Sequence, residues 1–229
     1  MEKDLTVVIP CLNEEETIGI CIQKCFKSFE RLGINGEVLV SDNGSTDKSV
    51  EISEDLGARV VHCPVKGYGN ALVYGFKHAD GKYILMGDAD NTYDFLEIPL
   101  FYKKLDDSVD MVIGTRLRGN IEKGAMPFLH RYFGTPVLTM VLNTLYGTRI
   151  SDSQCGMRLI KKSTLNQIEF KTTGMEFASE LLVEFAKHKF KITEVEISLL
   201  KGPQERVPHL HPWRDGWRHL IYLVRERFR

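Results

Sequence analysis

Net charge is almost absent from these 229 residues, since 30 Lys and Arg against 31 Asp and Glu leave −1. Nothing in that balance calls for a nucleic-acid partner. Cysteine is scarce and oddly numbered: Cys11, Cys21, Cys25, Cys63 and Cys155 include no C-x-x-C pair. That excludes a disulfide framework and a zinc ribbon, and predicts reduced thiols and a cytoplasmic setting. No stretch reaches the roughly 20 apolar residues that span a bilayer. The longest candidate, 133–146, is interrupted by Pro136, Thr139, Asn143 and Thr144, and the opening MEKDLTVVIP has no apolar leader. Internal repeats and low-complexity tracts are missing as well. With 43% hydrophobic and 27% charged residues, what remains is the composition of a folded α/β-sized domain with a full core.

The small net charge conceals an asymmetry. Residues 201–229 carry seven Lys/Arg against three acids, a local +4 that leaves −5 for residues 1–200. This divides the chain into a main domain, 1–200, and a basic tail, 201–229, containing Pro and Trp, where an anionic surface or the closing of a site is expected.

Apolar runs alternate with helical spacings along the first half. The run at 5–9, closed by Pro10, reads as a strand, and the apolar positions Ile18, Cys21, Ile22, Cys25, Phe26, Phe29 and Leu32 read as a helix. The pattern repeats as strand 37–40, a turn at 41–45, a helix at 46–56 capped by Ser45 or Thr46, and strand 58–62. A helix from 66 to 79, strand 82–86, helix 96–105 and strand 111–114 follow. This β-α-β-α order predicts a mostly parallel sheet covered on both faces. Beyond Thr115 the alternation loosens: a basic loop, a helix at 128–146, a strand at 157–160, a helix at 175–187, a strand at 191–198 and an amphipathic basic segment at 213–229. The sequon Asn43-Gly44-Ser45 is read as a turn.

The chemistry concentrates where strands end, which is where open α/β sheets bind ligands. Strand 82–86 runs into Asp88-Ala89-Asp90, two hard carboxylate ligands at a sheet edge, suited to Mg²⁺ or Mn²⁺ shared with a diphosphate. Pro10, Leu12, Asn13 and Glu14 follow the first strand, and Asp42 and Asn43 the second, where a carboxylate can accept from base or ribose. Asp42 also fits a plain turn with Gly44. Lys66-Gly67-Tyr68-Gly69-Asn70 resembles a phosphate cradle but matches neither the dinucleotide fingerprint nor a P-loop. Arg116, Arg118 and Arg131 are candidate phosphate forks or solvated charges.

Taken together, VVIPCLNEEETI, VSDNGSTDKS, KGYGNALVYGFKHADGKYILMGDADNTYDF, DMVIGTR, LHRYFGT, SDSQCGMRLIKK and GMEFASELLVEFA resemble glycosyltransferase family 2, and within it enzymes like dolichol-phosphate mannose and glucose synthases. The resemblance implies a GT-A, Rossmann-like nucleotide-sugar fold and an inverting hexosyl transfer from a UDP-glucose or GDP-mannose type donor to a polyprenyl phosphate, at the cytoplasmic face of a membrane. It implies Pro10, Leu12, Glu14, Asp42, Lys66, Gly67 and Arg206 at the donor, and Asp88, Ala89 and Asp90 at metal and diphosphate. Arg116 and Arg131 are implied at the phosphates of donor and acceptor. Departures are Thr92 where glutamine is common, Cys155-Gly156-Met157-Arg158 in place of SGFR, and the lack of membrane helices.

A phosphate acceptor is already anionic, so it needs no general base. A sugar hydroxyl, as in polysaccharide or glycoconjugate synthesis, does need one, and Asp152 is then the candidate, its other reading being a turn former. Rival classes are a nucleotidyltransferase, for which no triphosphate-binding stretch follows the first strand, and a non-catalytic nucleotide-sugar binder. His209, His211 and His219 are either a third metal ligand or solvated tail residues.

Overall fold

In a computed structural model, which describes residues 3–202 and 212–228, seven strands form one sheet in the order β3-β2-β1-β4-β6-β5-β7. They are β1 (Lys3–Cys11), β2 (Gly36–Asp42), β3 (Arg59–His62), β4 (Gly81–Met86), β5 (Met111–Thr115), β6 (Arg158–Lys161) and β7 (Ile192–Glu196). β6 alone runs antiparallel to its neighbours, so the expected mostly parallel sheet is found with one reversed strand wedged between β4 and β5. β1 is central, and Leu5 through Ile9 are inaccessible to solvent on either face, as a strand covered by helices on both sides must be.

The helices are α1 (Ile18–Leu32), α2 (Ser49–Asp55), α3 (Tyr68–His78), α4 (Ile98–Tyr102), α5 (Thr135–Tyr146), α6 (Lys162–Leu165), α7 (Phe177–Lys187) and α8 (Pro212–Arg227). Two helices are shorter than their apolar patterns suggest. The 96–105 segment splits into a 3-10 turn, Phe95–Glu97, and α4, while 128–146 begins with a π turn at His130–Gly134 before α5. Pro136 accounts for the second break: it has no N–H to donate into the preceding turn, yet it is well tolerated in the first turn of a new helix.

α2 starts at Ser49, later than Ser45 or Thr46 as caps would have it. Those residues instead lace two loops together. Ser45 Oγ accepts from Asn13 N (3.0 Å), Asn13 Oδ1 accepts from Thr46 N (2.8 Å), and Asp47 Oδ2 accepts from Glu15 N (3.0 Å). Glu15 Oε2 takes Lys48 N (3.0 Å) in return, and Ser49 Oγ takes the buried Glu14 N (2.8 Å). The loops after β1 and β2 are therefore one rigid unit. Asn43 is spent in the same way, its side chain bridging Val65 O (2.9 Å) and Gly67 N (2.7 Å), so the sequon is indeed a turn. All five cysteines are free and buried.

α8 packs on α5 and α7. Its inward side is partly polar: His219 Nδ1 meets Ser179 Oγ at 2.8 Å, Glu226 pairs with Lys187 at 3.1 Å, Arg218 pairs with Glu176 at 2.7 Å, and Tyr146 OH donates to Leu223 O at 2.8 Å.

Replacing Ser49 by Ala leaves the buried Glu14 amide without its acceptor. We expect a loss of about 1–3 kcal/mol, seen in urea titration as a lower midpoint with an unchanged slope.

Candidate functional site

β1 is followed in the chain by β2 and β3 on one side of it and β4 by β5 and β6 on the other, so the strand order reverses between β1 and β4, the place where open α/β sheets form a crevice at their carboxyl ends. Asp88 and Asp90 stand there. Asp88 Oδ1 accepts from Tyr68 OH at 2.9 Å. Burial and the adjacent Asp88 push the Tyr68 phenol well above its ordinary pKa, so it stays a donor. Asp90 is buried, and its Oδ1 accepts from Thr92 N (3.0 Å) and Thr92 Oγ1 (2.6 Å), which is the use made of the threonine that replaces the expected glutamine. Cys21 Sγ donates to Ala89 O, and Lys24 holds Asn91 Oδ1 (2.9 Å) and Asp94 (3.1 Å), so the whole D-A-D turn is pinned to α1.

Tyr93 links that turn to the opposite wall. Its hydroxyl accepts from Gly156 N at 2.7 Å and from Arg116 Nη1 at 3.4 Å. A Cβ at Gly156 would lie 2.9 Å from Asp88 Oδ2 and 3.1 Å from the Tyr93 ring, so a side chain there would displace the carboxylate. Arg116 is gripped by Asp152, Nε to Oδ2 and Nη2 to Oδ1, both at 2.8 Å, while Asp152 also accepts Arg116 N (3.1 Å) and Gln154 N (3.2 Å). Burial works against the Arg116 charge, but Tyr93 and Asp152 outweigh it and raise its pKa further. Asp152 is 0% exposed. This excludes it as the base considered for a hydroxyl acceptor: it is sealed from solvent and engaged by four donors.

The remaining expected residues distribute as follows. Pro10 and Leu12 lie at the end of β1 with the buried Glu14, opposite Asp42 at the end of β2. Asp42 makes the turn: it accepts Gly44 N (3.2 Å), Ser45 N (3.0 Å) and His62 Nδ1 (3.2 Å). Burial raises its pKa, yet the Ser45, His62 and Gly44 hydrogen bonds prevail and hold it below the usual carboxylate range. Lys66 is exposed, and Gly67 (φ +136) leads into α3, packed so tightly on the Thr173 carbonyl that any Cβ would collide with it. Arg131 is exposed on the π turn, 5.4 Å from the Tyr132 ring, and Arg118 is exposed beside Glu194. Arg206, His209 and His211 lie outside the described residues. His219 is not the solvated tail residue of one reading: it is buried, with its Nδ1 against Ser179 Oγ at 2.8 Å.

Among the described residues no group of three or more His, Cys, Asp and Glu converges on one point, so those residues offer two carboxylates and no cage. That donor set fits Mg²⁺ or Mn²⁺, hard ions that complete their shell with water and substrate phosphate. Asp88 and Asp90 would hold it.

A sequence model described as Glycosyl transferase family 2 matches residues 6–169. The chain belongs to that family. It is 42% identical over 221 residues to the low-salt glycan biosynthesis hexosyltransferase of Haloferax volcanii, covering 96% of this chain and 53% of that protein, so it spans about half that relative's length. It is 32% identical over 196 residues to the dolichyl-phosphate hexose transferase of the same organism, covering 85% of this chain and 82% of that one. Its fold is that of glucosyl-3-phosphoglycerate synthase from Mycobacterium tuberculosis, with TM-score 0.74, 22% identity, and coverage of 98% of this chain and 80% of that one. The fold is thus GT-A, as the motifs implied.

Asp152→Asn breaks a buried ion pair from one side and leaves the Arg116 charge uncompensated. A loss on the order of 3–5 kcal/mol in denaturant titration is expected, whereas a residue serving only as a base would leave stability untouched.

Proposed function

We propose that this protein transfers a sugar, with inversion, from a nucleoside-diphosphate sugar to an acceptor that carries a phosphate. The observation that carries the reading is the carboxylate pair Asp88 and Asp90, rigidly presented in the crevice between β1 and β4 of a family 2 GT-A domain. In this reading the laced loops with Pro10, Leu12, Glu14 and Asp42 receive the nucleoside, and Lys66 and Gly67 lie beside the phosphates. Arg116 stabilises charge on the leaving nucleoside diphosphate. A divalent ion, when bound, supplies further positive charge to that leaving group. An acceptor oxygen forms the new bond to the anomeric carbon as the bond to the diphosphate breaks, and the electron pair leaves on the nucleotide. Attack opposite the leaving group inverts the centre.

Two acceptors share the phosphate chemistry. The dolichyl-phosphate hexose transferase similarity supports a polyprenyl phosphate, whose own oxygen attacks. The solved structures of like fold favour the other class: glucosyl-3-phosphoglycerate synthase is solved with phosphoglyceric acid and with its glucosylated form, so that protein's sugar goes to a small soluble molecule. A hydroxyl acceptor needs a base, and with Asp152 occupied the neighbour of Arg116 that suits it is His130. Burial and then the Arg116 charge hold its pKa below the ordinary 6.5, so the ring is neutral at pH 7 and gains a proton only on acidification.

Incubating the protein with Mn²⁺, a panel of nucleotide-sugars, and either a short polyprenyl phosphate or phosphorylated hydroxy acids tests both, with mass detection of product. Asp90→Asn is expected to remove most turnover with the fold intact. His130→Gln is expected to lower kcat about 10²–10⁴-fold for a hydroxyl acceptor and to leave a phosphate acceptor unaffected. Product with neither acceptor, or full activity in excess chelator, sinks the proposal.

For a lipid acceptor the protein must lie on the bilayer, and no helix among the described residues is long and apolar enough to cross one. Support comes from α8, which turns Trp217 (61% exposed), Ile221 and Val224 outward, with Phe228 (82%) just beyond its end. Phe128 and Leu129 before the π turn, Tyr132 and Phe133 on it beside Arg131, and Val137 and Met140 on α5 are exposed in the same way. Such apolar stripes with Arg fit an anionic membrane surface. Co-sedimentation with anionic vesicles is expected at low salt and to weaken as salt rises. Trp217→Glu with Ile221→Glu is expected to reduce it about tenfold. If the unaltered chain does not sediment, the soluble acceptor is the better reading.

A further inference from the structure

Arg158 is the largest side chain wholly removed from solvent, at 0% exposure, and it lies on β6, the reversed strand, with Met86 of β4 and Ile113 of β5 as its cross-strand partners. Met86 is the residue from which β4 runs on toward Asp88 and Asp90. Every hydrogen bond Arg158 makes goes to a main-chain carbonyl: Nε to Cys155 O (2.9 Å), Nη2 to Ser153 O (3.0 Å) and Nη1 to Ala178 O of α7 (2.8 Å). Among the described residues no carboxylate forms an ion pair with it. A guanidinium keeps its charge in a protein interior, and an unpaired buried charge destabilises a fold. Burial accordingly pushes the Arg158 pKa down, with Cys155, Tyr68, Tyr93 and Asp152 opposing. Asp152, whose charge acts on Arg158, is committed to Arg116.

We propose that Arg158 is a positioning residue for the donor diphosphate, acting through the 152–156 loop and by its charge. The first role follows from the contacts. Its fork fixes the carbonyls of Ser153 and Cys155, and this same loop carries Asp152, which orients Arg116, and Gly156, which holds the Tyr93 hydroxyl beside Asp88. The second follows from what the site must hold. Two aspartates and a nucleoside diphosphate bring several negative charges to one sheet edge, and a cation behind them in a medium of low polarisability offsets that charge without being screened by salt. The unfavourable burial of Arg158 in the free protein is then relieved when the anion arrives.

This rests on the nucleotide-sugar reading, so the test measures nucleotide binding apart from turnover. The full-length chain and its Arg158→Lys and Arg158→Met forms are titrated with UDP and with GDP in the presence of Mn²⁺. Calorimetry and the upward shift of Tm on saturation are recorded at 50 and 500 mM salt. KM for the donor and kcat are measured for any nucleotide-sugar that turns over. Arg158→Met is expected to weaken nucleotide binding about tenfold or more at both salt concentrations and to shrink the Tm shift. Arg158→Lys, which keeps the charge, is expected to recover most of the affinity and to show its defect mainly in kcat, since one ammonium cannot hold three carbonyls. Equal nucleotide affinity in the Met variant and the unaltered protein overturns the inference. So does a Lys variant as weak as the Met variant, because only the carbonyl contacts would then matter; should the Met variant fail to fold, unaltered or lost affinity in the Lys variant decides the question. Failure of the unaltered chain to bind either nucleotide overturns the glycosyltransferase reading itself.

Discussion

Asp152 gives both carboxylate oxygens to Arg116 without contact with solvent, and the architecture of the crevice depends on that pair. Taking two charges out of water is costly unless their remaining hydrogen-bonding capacity is filled, and here the backbone amides of Arg116 and Gln154 fill it. The pair locks the end of β5 to the loop before β6. Through Gly156 and Tyr93 that loop then grips the turn bearing Asp88 and Asp90. Removing one charge would loosen a wall, not a single contact.

Four acids, Glu14, Asp42, Asp88 and Asp90, stand at or just beyond the ends of three strands, β1, β2 and β4, and make that edge of the sheet anionic. An anionic substrate enters such a place only if cations meet it. The chain supplies Arg116 and Arg158 from behind and Lys66 from the rim, and the carboxylate pair is suited to bring a divalent ion. On the proposed function these are complementary solutions to one problem, like-charge repulsion between an acidic protein edge and a diphosphate.

Much of this was legible in the residues. The alternating runs led to the right strands, and D-A-D at a strand end pointed at the crevice, because burial and strand termination leave local composition patterns. Asp42 followed its local turn chemistry with Gly44. What local pattern could not reveal was non-local. Ser45 and Thr46 look like helix caps, yet they serve a loop more than thirty residues away. The direction of β6 has no signature in four residues, and Arg158, which the sequence offers only as the last residue of the segment standing in for SGFR, shows its three carbonyl partners only in the fold. Asp152 reads in sequence more readily as a turn former than as a base, and neither reading contains the Arg116 pair that the fold gives it. Tyr93 and Tyr68 went unremarked because a tyrosine hydroxyl acquires meaning only from what lies opposite.

The reversed β6 carries a consequence for how the chain is made. β4 and β5 do not touch along their edges; β6 is the strand that joins β3-β2-β1-β4 to β5-β7. The first group consists of neighbours in sequence and can zip up as the nascent chain emerges. The second waits, because its only route into the ladder is a strand synthesised long after β4, and closing so large a loop is entropically slow. The exposed edge of β4, an apolar strand with Ile84, Leu85 and Met86, must therefore remain unpaired during translation. That interval is when aggregation or chaperone capture competes with folding, and the wall built by Asp152, Gly156 and Arg158 is the last part of the domain to exist.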